Sequence, residues 1–172
     1  MLIRPARPEE YDEIGELAVR VYLGEGYTRA GAPYLAVLRD AATRAEKAEL
    51  VVAVDEQDRI LGTVTYAGQG SPYSEHVSSA EEGSFRMLVV DPAARRCGVG
   101  LALVRWCVER ARESGVHSLR LSTLPEMAAA GRLYLRLGFV RTPERDWSPQ
   151  PDVKLITYAL EVGRAAPTPP GR

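Results

Sequence analysis

The sequence is poor in cysteine and histidine and has no surplus of charge, and each shortage removes a class of function. Its two cysteines, Cys97 and Cys107, form no Cys-x-x-Cys pair, which argues against a disulfide framework or a thiolate zinc site and suits a reducing cytoplasm. The two histidines, His76 and His117, lie far apart and in no His-x-x-x-His or His-Glu-x-x-His pattern, so no metal is expected. Lysine and arginine total 22 against 23 aspartate and glutamate. A chain so balanced has no cationic excess to hold a phosphate backbone, and no nucleic-acid partner is expected. Long hydrophobic runs are absent too, and the chain opens on the strand-like Leu2-Ile3-Arg4, so neither a membrane span nor an export signal is expected.

What the 172 residues do hold is an apolar content of 45%, enough for one core and one domain, placed here at residues 1–160. Residues 161–172, rich in proline, glycine and arginine, are expected to form a disordered tail. Pro8-Glu9-Glu10 suits a helix start, and Tyr11, Ile14, Leu17, Ala18 and Val21 then recur at helical spacing. A second helix is expected from about Tyr34 to Lys47, after a glycine-rich loop that carries Tyr27 and suits a mobile binding segment.

Leu50 to Val54 and Ile60 to Tyr66 read as a hairpin, and Ser84 to Val90 as the next strand. A helix from Val99 to Ser114 and a strand from Leu119 to Ser122 follow. Thr123-Leu-Pro-Glu126 then has the spacing of a capping box before a helix through Tyr134 and Leu137. Strands at Phe139-Val140 and Val153 to Leu160 enclose a Pro/Trp loop with Trp147. The order β-α-α-β-β-β-α-β-α-β-β predicts an α/β fold, a mixed sheet covered by helices.

The most informative stretch runs from Phe85 to Leu101, where a strand ends in Val89-Val-Asp-Pro92 and Arg95-Arg-Cys-Gly98-Val-Gly100 opens a helix. Gly98 and Gly100 let backbone approach a ligand, and the unpaired first-turn amides, the helix dipole and the cations of Arg95 and Arg96 favour phosphate. A Walker loop would need Lys-Ser/Thr where Leu101-Ala102 stands, and a dinucleotide fingerprint a third glycine or alanine where Leu103 stands.

Arg-x-x-Gly-x-Gly at 95–100 after Val-Val-Asp-Pro, together with Leu133-Tyr134-Leu-Arg-Leu-Gly-Phe139, resembles the GNAT superfamily of acetyltransferases. The resemblance extends from the first strand through Leu160. It implies a mostly antiparallel central sheet of about seven strands, splayed in the middle and flanked by about four helices. It also implies an acetyl-CoA-dependent N-acetyltransferase in which a primary amine attacks directly, the protein being a monomer or homodimer. Backbone groups of Leu88, Val89 and Val90 would pair with the pantetheine arm, and the amides of Arg95, Arg96, Cys97, Gly98, Val99, Gly100 and Leu101 would hold the pyrophosphate. Tyr134 would stand beside the sulfur as the catalytic hydroxyl.

Two positions depart from that pattern: Met127 stands where many members have asparagine, and Ser84 where some have a glutamate base. Glu82, two residues earlier on the same strand face, is then the candidate base, acting through a water, against a plain reading as a solvated acid. Tyr134 lies on an apolar stripe, so core and catalytic roles are both open. Tyr27 and Trp147, aromatic residues in two loops, are candidates to line the acceptor groove, although Trp147 equally suits a cap on the core. The alternative to an enzyme is a non-catalytic acyl-CoA-binding or regulatory module.

Overall fold

The computed structural model describes residues 1–74 and 77–163. The fold follows from strands whose apolar residues leave no face for water. In β2 (Glu49–Val54), Val51 and Ala53 point into one core while Leu50, Val52 and Val54 point into another. Such a strand must be covered on both sides. Helices α1 (Tyr11–Gly24), α2 (Tyr34–Arg39) and α3 (Ala41–Lys47) lie on one face. Helices α4 (Val99–Glu113) and α5 (Ala128–Arg136) lie on the other.

Among the described residues the sheet has eight strands, one more than expected, and there are five α-helices. Besides β2, the strands are β1 (Leu2–Pro5), β3 (Ile60–Ala67), β4 (Glu82–Val90), β5 (Ser118–Thr123), β6 (Val140–Arg141), β7 (Trp147–Gln150) and β8 (Val153–Glu161). Their order is β1-β2-β3-β4-β5-β8-β6, with β7 paired to β8, and every pairing except β4 with β5 is antiparallel.

The structure corrects four local expectations. The helix expected over Tyr34 to Lys47 breaks at Asp40, whose carboxylate accepts from the Thr43 amide at 3.0 Å and so caps a new helix. The Thr123–Glu126 capping box is not formed. Thr123 ends β5, α5 starts at Ala128, and Pro125 disfavours helical backbone in the residue before it. The Pro/Trp loop contains strand β7, whose Pro149 is tolerated because β7 pairs only with β8. The expected tail starts too early at 161: Glu161 pairs with Ser118 and Val162 is buried, while residues 164–172 lie outside the described residues.

Strands β4 and β5 pair over three residues only, Glu82–Ser84 with Ser118–Arg120. Beyond Ser84, β4 pairs with β3 alone, and beyond Arg120, β5 pairs with β8 alone, so the sheet opens between them. A bulge sharpens the opening. Thr65 faces Arg86 and Thr63 faces Val89, so the single residue Val64 stands against both Met87 and Leu88. Met87 adopts φ 51°, and the extra residue reverses the alternation of faces: Phe85 belongs to the core under α4 and α5, Met87 and Val89 to the core under α1.

No helix among the described residues is long and apolar enough to cross a membrane. The α1–α2 contact depends on Gly15, where a Cβ would lie 2.2 Å from the Arg39 carbonyl oxygen. Gly15→Ala is expected to force the helices apart and destabilise the protein by about 1–3 kcal/mol, the range for overpacking. A lower urea midpoint at unchanged slope would show it.

Candidate functional site

At the end of β4 the chain makes a 3-10 turn over Pro92–Ala94, anchored by Asp91, whose carboxylate accepts from the Ala93 amide at 2.8 Å. Arg96 and Gly98 then take left-handed φ values of 65° and 81°, and α4 starts at Val99. This double reversal leaves the amides of Arg96, Cys97 and Gly98 without hydrogen-bond partners among the described residues. The first-turn amides of Val99, Gly100 and Leu101 point the same way. The positive end of the α4 dipole reinforces a nest of donors suited to phosphate.

Two ion pairs tie this loop to the end of α1: Arg95 to Glu25 at 2.8 Å and Asp91 to Arg20 at 2.8 Å. Arg95 is thus partly engaged within the protein, while Arg96 and Cys97 are exposed at the rim. Leu88, Val89 and Val90 lead into the loop along the open edge of β4, with Val89 buried and the other two half-buried.

At the opposite end of the same strand, Glu82 is buried, with only 7% of its surface exposed. Its carboxylate accepts from Arg120 Nε at 2.5 Å, Arg145 Nη1 at 2.8 Å and the Ser78 amide at 2.8 Å. Burial pushes its pKa up, but the hydrogen bonds from Arg145, Ser78 and Arg120 outweigh burial and bring it down to about 2. A carboxylate so held has little affinity for a proton near neutral pH, and neither the solvated acid nor the general base read from the sequence fits this geometry. Glu82 instead clamps β4 to β5 where the two strands are still paired.

Tyr134, 4% exposed, sits in an aromatic cluster with ring-centroid distances of 5.9 Å to Phe85, 5.9 Å to Phe139 and 5.8 Å to Tyr158. Burial, with smaller contributions from Cys107 and Tyr158, raises its hydroxyl pKa well above the usual tyrosine range. The hydroxyl therefore remains protonated and can donate a hydrogen bond.

On the α1 side of the opening lies a cavity of about 540 Å³ that brings Tyr27 and Trp147 together. Arg86 and Met87 of β4, Ser122 and Thr123 of β5, and Met127 also line it, so it reaches into the gap between the strands. Sequence reasoning missed Tyr22, Tyr34, Tyr73 and Arg86. Tyr22 packs against Tyr27 and Tyr34 with centroids 5.9 Å away in each case, and the Arg86 guanidinium lies 5.8 Å from the Tyr73 ring centre. A usable signal was present, since Tyr22, Tyr27 and Tyr34 all flank or occupy the glycine-rich loop.

The Glu82 clamp is testable without assigning any function. Its depressed pKa means that its stabilisation is complete above about pH 4.5 and is lost as pH falls through about 2. Glu82→Gln is expected to cost about 3–5 kcal/mol at pH 7, because two arginines lose their partner. Denaturant titrations at several pH values should show the gap between wild type and variant closing between those limits.

The sequence profile described as the Acetyltransferase (GNAT) family matches residues 11–139. Comparison with curated protein sequences yields no match. Among solved structures, a GNAT-family acetyltransferase from Staphylococcus aureus Mu50 aligns at 16% identity and TM-score 0.75, covering 94% of this chain and 99% of its own. A GCN5-related N-acetyltransferase from Kribbella flavida aligns at 24% identity and TM-score 0.68, covering 93% and 96%. The yncA protein of Salmonella typhimurium, solved with acetyl-CoA, aligns at 20% identity and TM-score 0.67, covering 98% of both chains. At such identities these likenesses speak for the fold, and the profile match over residues 11–139 carries the assignment: the chain belongs to the GNAT acetyltransferase family.

Proposed function

We propose that this protein is an N-acetyltransferase that moves an acetyl group from acetyl-CoA to a primary amine by direct attack. The observation that carries the reading is the joining of two binding features along one strand. The open edge of β4 runs into the nest of amides around Gly98, and the cavity of Tyr27 and Trp147 opens at Arg86 and Met87 of the same strand. An unpaired strand edge suits an extended, amide-bearing arm, and a nest at a helix start suits a pyrophosphate. Leu88, Val89 and Val90 would hold the first, Arg95 through Leu101 the second, and Tyr27 and Trp147 would wall the acceptor.

When bound, acetyl-CoA supplies the acetyl group as a thioester, whose C–S bond is exchanged for a C–N bond while the amine loses one proton and the departing thiolate gains one. Tyr134 Oη is in this reading a hydrogen-bond donor and not an acid. A thiol near ~8.5 is already more acidic than an ordinary tyrosine near ~10, and burial raises Tyr134 further. Its hydrogen bond strengthens as charge grows on sulfur, which favours the transition state over the ground state. A lysine amine of pKa ~10.4 needs a strong base, whereas an α-amine near ~7.8 is partly neutral already. With Glu82 held near 2, an α-amine or another small amine is the preferred acceptor.

That low proton affinity is also the one observation favouring a non-catalytic acyl-CoA-binding or regulatory module. Release of free CoA thiol in the presence of amines separates the two, since a binding module would hold acetyl-CoA without turnover.

A Cβ at Gly98 would meet nothing within 4 Å, so Gly98→Val leaves packing intact and strains only the left-handed backbone, by about 1–2 kcal/mol. Calorimetry is expected to show acetyl-CoA affinity reduced at least ~100-fold with the fold retained, because the nest must deform; unchanged affinity would remove the site. Tyr134→Phe is expected to lower kcat by about 100-fold with acetyl-CoA affinity nearly unchanged. Full kcat in a variant shown to be limited by chemistry would leave Tyr134 a core residue only.

A further inference from the structure

The cavity beside the sheet opening gathers rings from five separate stretches of chain. Four of the eight tyrosines and one of the two tryptophans line it: Tyr22 from α1, Tyr27 from the glycine-rich loop, Tyr34 from α2, Tyr73 from the segment before β4, and Trp147 from β7. Both phenylalanines, Phe85 and Phe139, belong to the other core. A core is filled by plain hydrocarbon, whereas a tyrosine or tryptophan presents a ring face with a polar edge and suits a surface that is wet until a ligand covers it. Tyr22, Tyr27, Tyr34 and Trp147 are only half-buried.

The rings are fixed by contacts of their own. The Tyr27 amide, following the left-handed Gly26, donates to the Tyr22 carbonyl at 2.9 Å, and the two rings meet edge to face at 80°. Tyr34 completes the group, its ring centre 5.9 Å from that of Tyr22. Tyr73 is held by Ser71, whose hydroxyl donates to the Lys47 carbonyl at 2.8 Å and accepts from the Tyr73 amide at 3.2 Å. The Tyr73 ring in turn carries the Arg86 guanidinium 5.8 Å from its centre. Trp147 is set opposite Leu155 in the β7–β8 ladder. Walls held in this way keep their shape, and about 540 Å³ stays open between them, within the ~300–1,000 Å³ of small-molecule sites. Rings fixed in advance bind at a lower entropic cost.

Burial raises the hydroxyl pKa of Tyr22, Tyr27 and Tyr73 above the ordinary tyrosine range. These phenols therefore stay neutral at the alkaline pH at which an amine sheds its proton. Arg29, Arg86 and Asp152 bring charge of both signs to the lining, so the property its parts share is the aromatic ring.

We propose that the amine acetylated by this protein carries an aromatic ring on a short linker, with the nitrogen beside Arg86 and Met87 where the strands part and the ring against Tyr27 and Trp147. The proposal deepens the acyl-transfer reading above and rests on it. Packing of ring on ring adds about 2–10-fold in affinity per pair beyond the apolar area covered. A saturated ring of the same size gains the area alone. A lysine side chain or a polyamine brings no ring and leaves the wall uncovered.

The test measures free thiol release at fixed acetyl-CoA with phenethylamine, cyclohexylethylamine, spermidine and a lysyl peptide. The first two share a primary amine and a linker and differ only in the ring. Phenethylamine is expected to exceed cyclohexylethylamine in kcat/KM by about 10-fold, and the two ringless acceptors by more. Tyr27→Leu and Trp147→Leu, which keep apolar bulk, should each bring the phenyl-to-cyclohexyl ratio to within ~3-fold of unity, whereas Tyr27→Phe and Trp147→Phe should preserve it. Because each ratio is taken on one preparation, any loss of folded protein cancels. A wild-type ratio within ~3-fold of unity, a ringless acceptor as the best substrate, or a ratio unmoved by both leucine variants would overturn the proposal and leave acetyl transfer standing. Absence of turnover with every amine would overturn the acyl-transfer reading. Calorimetric titration of phenethylamine and cyclohexylethylamine into protein saturated with coenzyme A would then decide alone: tighter binding of phenethylamine supports the aromatic pocket, and equal or no binding overturns it.

Discussion

The rest of the site depends on a pair of parallel strands that hold together for three residue pairs and then separate. Had β4 and β5 paired along their whole length, the backbone of β4 from Phe85 onward would be satisfied within the sheet, with no edge open to a ligand. Separation needs a fixed point to start from. Glu82 provides it by bonding to Arg120 on β5 and Arg145 beyond β6, a strand-to-strand ion pair shielded from water. The bulge at Met87 then turns the strand so that its two ends serve different cores.

The phosphate-type loop and the fold class were legible in the sequence because both rest on local signals. Glycine at a left-handed position before a helix reads directly from Gly98, and buried parallel or central strands read from apolar runs such as Leu50–Val54. Glu82 was not legible, because its partners lie 38 and 63 residues away and an acid before a strand looks like any surface acid. Arg44 of α3, with 0% of its surface exposed, was hidden in the same way: Ala41–Lys47 has an ordinary helical composition, and only the packing of α3 against β2 shows that this charge is inside. Strand β7 escaped because Pro149 argues against a strand everywhere except at an edge.

Tyr134 shows how two readings can both describe one residue. Its ring is core, packed among Phe85, Phe139 and Tyr158, and that same packing fixes its hydroxyl and keeps it protonated. Rigid aromatic support is what a preorganised donor needs, so core packing and a donor role do not compete for this side chain.

The cavity wall and the amide nest are drawn from different stretches of chain. The wall comes largely from residues 22–37 and 147–155, whereas the nest is confined to 95–101. The two are tied mainly through Glu25, Arg20 and the strand between them. Substitutions in the outer stretches can therefore retune which molecule enters the cavity while the nest stays as it is. Such a partition lets a lineage alter the lining of the cavity in small steps, each of which leaves the nest intact.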